Sequence, residues 1–138
     1  MIDYTKFQRS LEHLELQYKN HKGLEPSQPE LIKEAVVESV IQRFETCYDC
    51  LWKTLKRYLK EESGFADVPN SPKPLIRMAG ENDLLPSPVE QWIAYVNARI
   101  DTAHDYNAAK ATECLELMEE FIPDAIRLYE QLTGEPWT

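Results

Sequence analysis

The sequence contains no apolar run that approaches the length of a membrane span, and it does not open with a charged segment followed by an apolar one. We therefore expect a cytoplasmic protein that does not contact a membrane. Cysteine is scarce as well, with three residues at Cys47, Cys50 and Cys114. Because an odd count cannot pair fully, it argues against a disulfide framework.

Basic residues are few: 15 Lys and Arg stand against 24 Asp and Glu, for a net charge of −9. This balance argues against broad nucleic-acid binding, so any RNA contact must be local. The one concentrated basic patch has helical spacing and consists of Lys53, Lys56, Arg57 and Lys60. Two interpretations stay open: the cations complement the end of a helix dipole, or they contact a nucleotide phosphate or an acidic partner.

Alternating strand patterns, internal repeats and low-complexity tracts are also missing, and apolar residues instead recur every three or four positions. This spacing predicts helices over about 3–19, from the Ser27–Glu30 capping box to about 62, and from Ser71 to a stop at Gly80. A fourth helix should start at a Ser87–Glu90 capping box, with an inward face made of Val89, Trp92/Ile93, Val96 and Ile100. A fifth should run from Ala108 to a stop at Gly134. The sum is an all-α, antiparallel four-helix up-and-down bundle with one short extra helix, in a single domain over residues 1–138.

The second helix would be about 50 Å long if fully helical, and neither Gly nor Pro interrupts it. A helix of that length should overhang a bundle of this size. A second copy that covers the exposed stripe is the simplest solution, so we expect a homodimer.

Arg99, His104 and Tyr106 lie where the fourth helix should end. An always-charged guanidinium, an imidazole that titrates near neutrality and a phenol suit a phosphate-centred site. In one unbroken helix Arg99 and His104 would point about 140° apart, so they converge only if the helix ends there or a second copy contributes. Asp105 and Asn107 are good N-cap residues and favour a break at this point.

A simpler interpretation of the same residues is that Arg99 pairs with Asp101 or a helix-end carbonyl and that His104 only caps the helix. No metal or cofactor is predicted, because the lone Cys47–Cys50 CxxC has no second pair of ligands.

Several segments carry a family resemblance, in order along the chain: the run 41–45, Tyr48, the run 52–56, Ser71-Pro72, and Arg99–His104–Tyr106. Together they resemble the nucleotidyltransferase substrate-binding protein family. Its members are small helical bundles of the HEPN class, similar in fold to the C-terminal domain of kanamycin nucleotidyltransferase.

The resemblance implies a partner, a separately encoded minimal nucleotidyltransferase of the MntA type, usually encoded nearby. In the related HepT/MntA toxin–antitoxin pairs, the HEPN protein is a metal-independent ribonuclease with an Arg-x4-His-x-Tyr motif. Two copies of the motif face each other across a dimer, and the nucleotidyltransferase silences the site by adding AMP to the tyrosine. By position, Arg99 and His104 would be catalytic and Tyr106 the modified residue.

Two positions depart from the family pattern: Ile100 replaces a residue that is commonly polar, and Ala103 replaces one that is often Ser. Both changes remove hydrogen-bonding groups beside the expected site. Two functions therefore stay open at this point. One is a ribonuclease that acts on RNA; the other is a non-catalytic nucleotide-binding, substrate-binding or scaffold subunit that only complexes with the nucleotidyltransferase.

Overall fold

The computed structural model describes residues 1–104 and 107–138, and within these ranges the chain forms five α-helices and no strand. The helices are α1 (Thr5–Lys22), α2 (Glu30–Glu61), α3 (Pro72–Glu81), α4 (Val89–His104) and α5 (Ala108–Thr133). The predicted all-α bundle of four long helices and one short helix is confirmed. No helix in the described ranges is long and apolar enough to cross a membrane.

Helix α2 is the central element, because it packs against each of the other four helices. Aromatic rings fill the space where α2, α4 and α5 meet. Phe121 makes edge-on contacts with Phe44, at 4.9 Å between ring centroids, and with Tyr95, at 5.0 Å. Trp92 packs edge-on against Tyr95 and is fully buried. This core holds α4 against the middle of α2.

The predicted capping box at Ser27 is wrong, because α2 begins at Glu30 with Pro29 in the N-cap position. Proline holds its own backbone at φ −56° and ψ 146°, and it also keeps the residue before it out of the helical region. The Pro29 carbonyl then accepts the first hydrogen bond of the helix from the Ile32 amide. The start of α2 is therefore set by the proline directly before its first helical residue, and not by the preference of Ser27 for an N-cap position.

Gly80 does not end the third helix as predicted, since α3 continues through it to Glu81. A methyl group at this position would meet Val89 and Leu85 only at ordinary van der Waals distance, so the packing does not require a glycine here. A Cβ at this position would lie 3.4 Å from the Val89 side chain and 3.6 Å from that of Leu85.

The prediction that Ile100 faces inward is also wrong, because its side chain is 43% exposed. The inward stripe of α4 instead continues from Val96 to Arg99 and Thr102, and Thr102 is buried. At 100° per residue, Ile100 lies about 100° from the centre of that stripe. The end of α4 is therefore joined to α2 by polar side chains.

Asn107 caps α5 as predicted: its side chain accepts a hydrogen bond from the Lys110 amide at 2.9 Å. At the other end, Gly134 adopts the left-handed backbone conformation, with φ of 73°. Asp105, the other predicted cap residue, lies outside the described residues.

The first third of α2 is less buried than the rest of the helix, although Val37 packs against the core. Residues 30–39 include no buried side chain. Leu31 is 78% exposed and Ile32 is 47% exposed. That a second copy of the chain covers these exposed residues stays a prediction.

Candidate functional site

The Arg99 guanidinium is held by two carboxylates of α2. Its Nη1 donates to Glu45 Oε2 at 3.0 Å, while Nε and Nη2 donate to the two oxygens of Asp49, each at 3.3 Å. The Thr102 hydroxyl donates to Glu45 Oε2 at 2.9 Å. We call these four residues the Arg99 clamp.

Helical spacing on both sides produces the clamp. Glu45 and Asp49 are four residues apart on α2, and Arg99 and Thr102 are three apart on α4, so each pair shares one face. The aromatic core fixes the contact between the two helices. Arg99 therefore reaches α2 five residues before the end of α4, near the junction with α5.

The clamp carries a surplus of negative charge, because two carboxylates face one guanidinium and no other cation pairs with them among the described residues. The pKa of Arg99 is raised, chiefly by its hydrogen bonds to Asp49, although burial opposes the shift. The Arg99 side chain is 27% exposed and that of Asp49 is 42% exposed. A phosphate can therefore bind Arg99 only if it displaces these carboxylates.

Tyr48 lies beside the clamp on α2 and is 1% exposed. Its hydroxyl has no hydrogen-bond partner within the described residues. Burial raises the pKa of this phenol, the Asp49 carboxylate raises it further, and the Arg99 guanidinium opposes the shift.

Of the three motif residues, only the Arg99 side chain is described. His104 is the last residue of α4, and its side chain and Tyr106 lie outside what the structure describes. Their convergence with Arg99 stays a prediction. The simpler interpretation paired Arg99 with Asp101, and this is wrong. Arg99 pairs with Glu45 and Asp49, and Asp101 pairs with Lys110 at 3.3 Å.

The basic patch is partly engaged in contacts of its own. Lys56 donates to Asn70 at 2.6 Å, and Arg57 pairs with Glu61 at 3.0 Å. Lys53 and Lys60 are exposed and have no ion-pair partner within 4.0 Å in the described part of the chain. Lys53 follows Asp49 by one helical turn, so the patch begins on the clamp's side of α2.

Sequence reasoning missed Glu45, Asp49 and Thr102 as parts of the site. The available signal was a pair of carboxylates at i and i+4, at the edge of the apolar stripe of α2. Such pairs are common on solvated faces, so the signal by itself does not single out a site. Across residues 1–104 and 107–138, no group of three His, Cys, Asp or Glu side chains could hold a metal ion.

A second polar cluster surrounds Asp124, which is 5% exposed in α5. Its carboxylate accepts from the hydroxyls of Tyr95 and of Ser87, the latter at 2.9 Å. The Ser87 hydroxyl in turn accepts from the Trp92 indole at 2.9 Å. These bonds tie the start of α4 to α5 and leave the buried carboxylate well satisfied.

Comparison with known sequences places these observations in a family. Residues 2–134 match the family described as nucleotidyltransferase substrate binding protein like. The chain belongs to this family. This match confirms the predicted resemblance. The helical bundle described above is the fold that the resemblance implied.

Individual proteins are also similar to this chain. The chain is 27% identical over 114 residues to a protein of Haemophilus influenzae named probable ribonuclease HepT, covering 76% of this chain and 73% of the relative. A solved Haemophilus influenzae structure, described as the fold of a substrate binding domain of a nucleotidyltransferase, matches with a TM-score of 0.84 at 24% identity. That match covers 94% of this chain and 98% of the other, and it concerns the fold. A crystal structure of a Thermus thermophilus protein matches with a TM-score of 0.68 at 31% identity, over 93% and 96% of the two chains.

Proposed function

We propose that this protein is the HEPN-type partner of a separately encoded minimal nucleotidyltransferase, and that it carries a metal-independent ribonuclease site at Arg99 and His104. The observation that carries the proposal is membership of the family, together with similarity to a relative named probable ribonuclease HepT. In this proposal the protein works in the cytoplasm as a homodimer in a toxin–antitoxin-like module.

The proposed chemistry uses the 2′-hydroxyl of RNA as the nucleophile. The 2′-oxygen bonds to phosphorus while His104 removes its proton, the bond from phosphorus to the 5′-oxygen breaks, and the leaving oxygen takes a proton. One imidazole can supply only one of the two proton transfers at a time, so His104 of a second copy would supply the other. Arg99 would stabilise the charge that grows on the phosphate oxygens.

The nucleotidyltransferase would control this site through Tyr106. Transfer of AMP joins its phosphorus to the tyrosine oxygen, and pyrophosphate leaves from ATP. The adduct would add bulk and negative charge beside Arg99, and it should repel an RNA phosphate.

The first test compares the purified protein with Arg99→Ala and His104→Ala variants in an RNA cleavage assay that contains a chelator. We expect cleavage by the wild type, and a loss of at least about 100-fold in each variant. Arg127→Ala, which changes an arginine that pairs with Asp124 far from the clamp, is the control and should cleave normally. A wild-type protein that cleaves no RNA and does not harm its host would refute the ribonuclease proposal.

A second test incubates the protein with its neighbouring nucleotidyltransferase and ATP and reads the adduct by mass spectrometry. We expect one or more AMP groups on Tyr106 and none on a Tyr106→Phe variant. Unmodified wild-type protein in a stable complex with the enzyme would count against the modification mechanism.

A second candidate function is a non-catalytic subunit that binds the nucleotidyltransferase. The occupied state of Arg99 favours it, because two carboxylates already take the donors that a phosphate would need. In this role the exposed Lys53 and Lys60 would contact a nucleotide phosphate or an acidic partner. It predicts complex formation that survives Arg99→Ala and is weakened by a Lys53→Glu, Lys60→Glu double variant.

A further inference from the structure

A surface groove runs between α1 and α2, and all six residues that line it are polar. Its cavity volume is about 230 Å³, which is room for a phosphate group. The lining residues follow helical spacing, two on α1 and four on α2: Ser10 and His13, and Ser39, Gln42, Arg43 and Thr46. We call this cavity the α1–α2 groove.

The charge of the α1–α2 groove sets it apart from the rest of the surface. Arg43 lines it, and none of its six lining residues carries a carboxylate. Four other surface cavities in the described part of the chain each contain at least two carboxylates. In a chain with a net charge of −9, a groove that holds an arginine and no acid favours an anion locally.

Most side chains in the groove have donors that the fold does not use. The Ser10 hydroxyl donates to the Phe7 carbonyl at 2.9 Å, and the Thr46 hydroxyl donates to a carbonyl of its own helix at 3.1 Å. The other four side chains make neither a hydrogen bond nor an ion pair within the described residues: His13, Ser39, Gln42 and Arg43. The two walls therefore present a guanidinium, an imidazole, an amide and a hydroxyl, which are donors that phosphate oxygens accept.

The α1–α2 groove is separate from the Arg99 clamp. Arg43 and Glu45 are two residues apart on α2, so they point about 160° apart around the helix. Glu45 faces α4, where it accepts from Arg99, whereas Arg43 lines the groove toward α1. The carboxylates of the clamp therefore do not take up the donors of Arg43.

We propose that the α1–α2 groove is a second anion site, which binds a phosphate group between Arg43 and His13. Arg43 donates to two phosphate oxygens with its planar fork, and His13 donates from the opposite wall. Ser39 and Gln42 supply neutral donors beside them. A free mononucleotide and an RNA backbone present the same phosphate oxygens, so the chemistry of the groove suits both sources. The proposal does not depend on the ribonuclease site.

The test titrates the ¹⁵N-labelled protein with AMP, and with adenosine as the probe that lacks phosphate, and follows the amide shifts by NMR. We expect AMP, and not adenosine, to shift amides on both walls of the groove. Arg43→Gln should weaken AMP binding at least about tenfold, and Arg43→Lys several-fold, because lysine keeps the charge and loses the fork. Both variants should melt at the wild-type temperature, since Arg43 is exposed.

Arg77→Gln, which removes the same charge from an exposed position on α3, is the matched control and should bind AMP as the wild type does. An anisotropy titration with a short, uncleavable 2′-O-methyl oligoribonucleotide distinguishes the sources. Binding of AMP that requires Arg43 would support a mononucleotide, and binding of the oligonucleotide alone that requires Arg43 would support an RNA backbone.

Three results would overturn the inference. The first is that neither probe depends on Arg43, and the second is that Arg77→Gln weakens binding as much as Arg43→Gln. The third is a loss of AMP binding in Arg99→Ala and not in Arg43→Gln, because the phosphate would then bind at the clamp. RNA cleavage by the wild type is a separate measurement, so the failure of this site and the failure of the ribonuclease proposal are distinguishable.

Discussion

Arg99 shows how one side chain can both join two helices and restrain a site. Its bonds to Glu45 and Asp49 fasten α4 to α2, and the same bonds occupy the donors that a phosphate would need. If Arg99 binds an RNA phosphate as proposed, the strength of the clamp sets a balance between the stability of the fold and that binding.

Asp49→Asn tests this balance because it removes one charge and keeps the shape of the side chain. We expect the free energy of unfolding to fall by about 0.5–1 kcal/mol, since the pair is partly exposed and screened by water. Binding of a fluorescein-labelled 2′-O-methyl oligoribonucleotide, which cannot be cleaved because its 2′-oxygen has no proton, should become several-fold tighter because Arg99 loses its bidentate acceptor. Glu38→Gln, an exposed change on the same helix, is the control and should alter neither quantity by as much. Unchanged affinity in Asp49→Asn would show that the carboxylate does not compete with the phosphate.

The cysteines differ in exposure, and this predicts different reactivity. Cys47 and Cys114 are buried and Cys50 is half-buried. Burial raises the pKa of Cys114 to about 12 from an ordinary value of 9.0. At about pH 8 iodoacetamide should therefore modify Cys50 first, and the two buried thiols at least about 100-fold more slowly, as judged by peptide mass spectrometry.

The same shift predicts how stability depends on pH. The fold favours the neutral thiol at Cys114, so this contribution is complete below about pH 9 and is lost as the pH rises toward 12. Denaturant titrations at about pH 8 and about pH 11 should show lower stability at the higher pH, and Cys114→Ala should reduce the difference between them. If the loss of stability between about pH 8 and about pH 11 is the same in Cys114→Ala as in the wild type, other titrating groups cause it.

At the level of the helices, the ends are decided by single residues. Gly134 ends α5 with φ of 73°, and a Cβ there would meet no atom within 4 Å. Gly134→Ala should therefore destabilise the protein by about 1 kcal/mol through backbone strain alone. Gly23→Ala is the matched control, because Gly23 caps α1 with φ of −89° and alanine fits that conformation. Thermal unfolding of the two variants measures the difference, and equal melting temperatures would contradict this account.

The order and type of the helices could be predicted from apolar spacing, because that spacing reports which face of a helix is buried. The start of α2 could not, since two local signals competed there and Pro29 outweighed Ser27. The burial of the last turn of α4 was missed for a different reason. Polar contacts to α2 take over from apolar packing at Arg99, so the hydrophobic pattern no longer marks the inward face.

The site was predictable only in part. The motif spacing identifies Arg99, but its partners lie 50 and 54 residues away on another helix. Local patterns contain no information about such contacts. The unpaired state of Tyr48 was equally hidden, because the sequence shows an aromatic residue on an apolar stripe and not the fate of its hydroxyl.

For the molecule as a whole, the exposed start of α2 is the surface most suited to a second copy. Leu31 and Ile32 are exposed in a chain whose other large apolar side chains are mostly buried. A Leu31→Ser, Ile32→Ser double variant should shift the protein from dimer to monomer in size-exclusion chromatography with light scattering. Leu16→Ser, an exposed change on α1, is the control and should leave the assembly unchanged. A wild-type protein that is monomeric at tens of micromolar would refute the dimer.

The uninterrupted course of α2 has a mechanical consequence. Leu31 and Glu45 lie on the same helix, and no glycine or proline stands between them. The two residues are about 21 Å apart along the helix axis. A molecule that binds the exposed start of α2 therefore contacts the same helix that carries, near its middle, the carboxylates bound to Arg99. A tilt of α2 at its start would also move Glu45 and Asp49. Binding at the start of the helix could therefore weaken or strengthen the contacts between these carboxylates and Arg99.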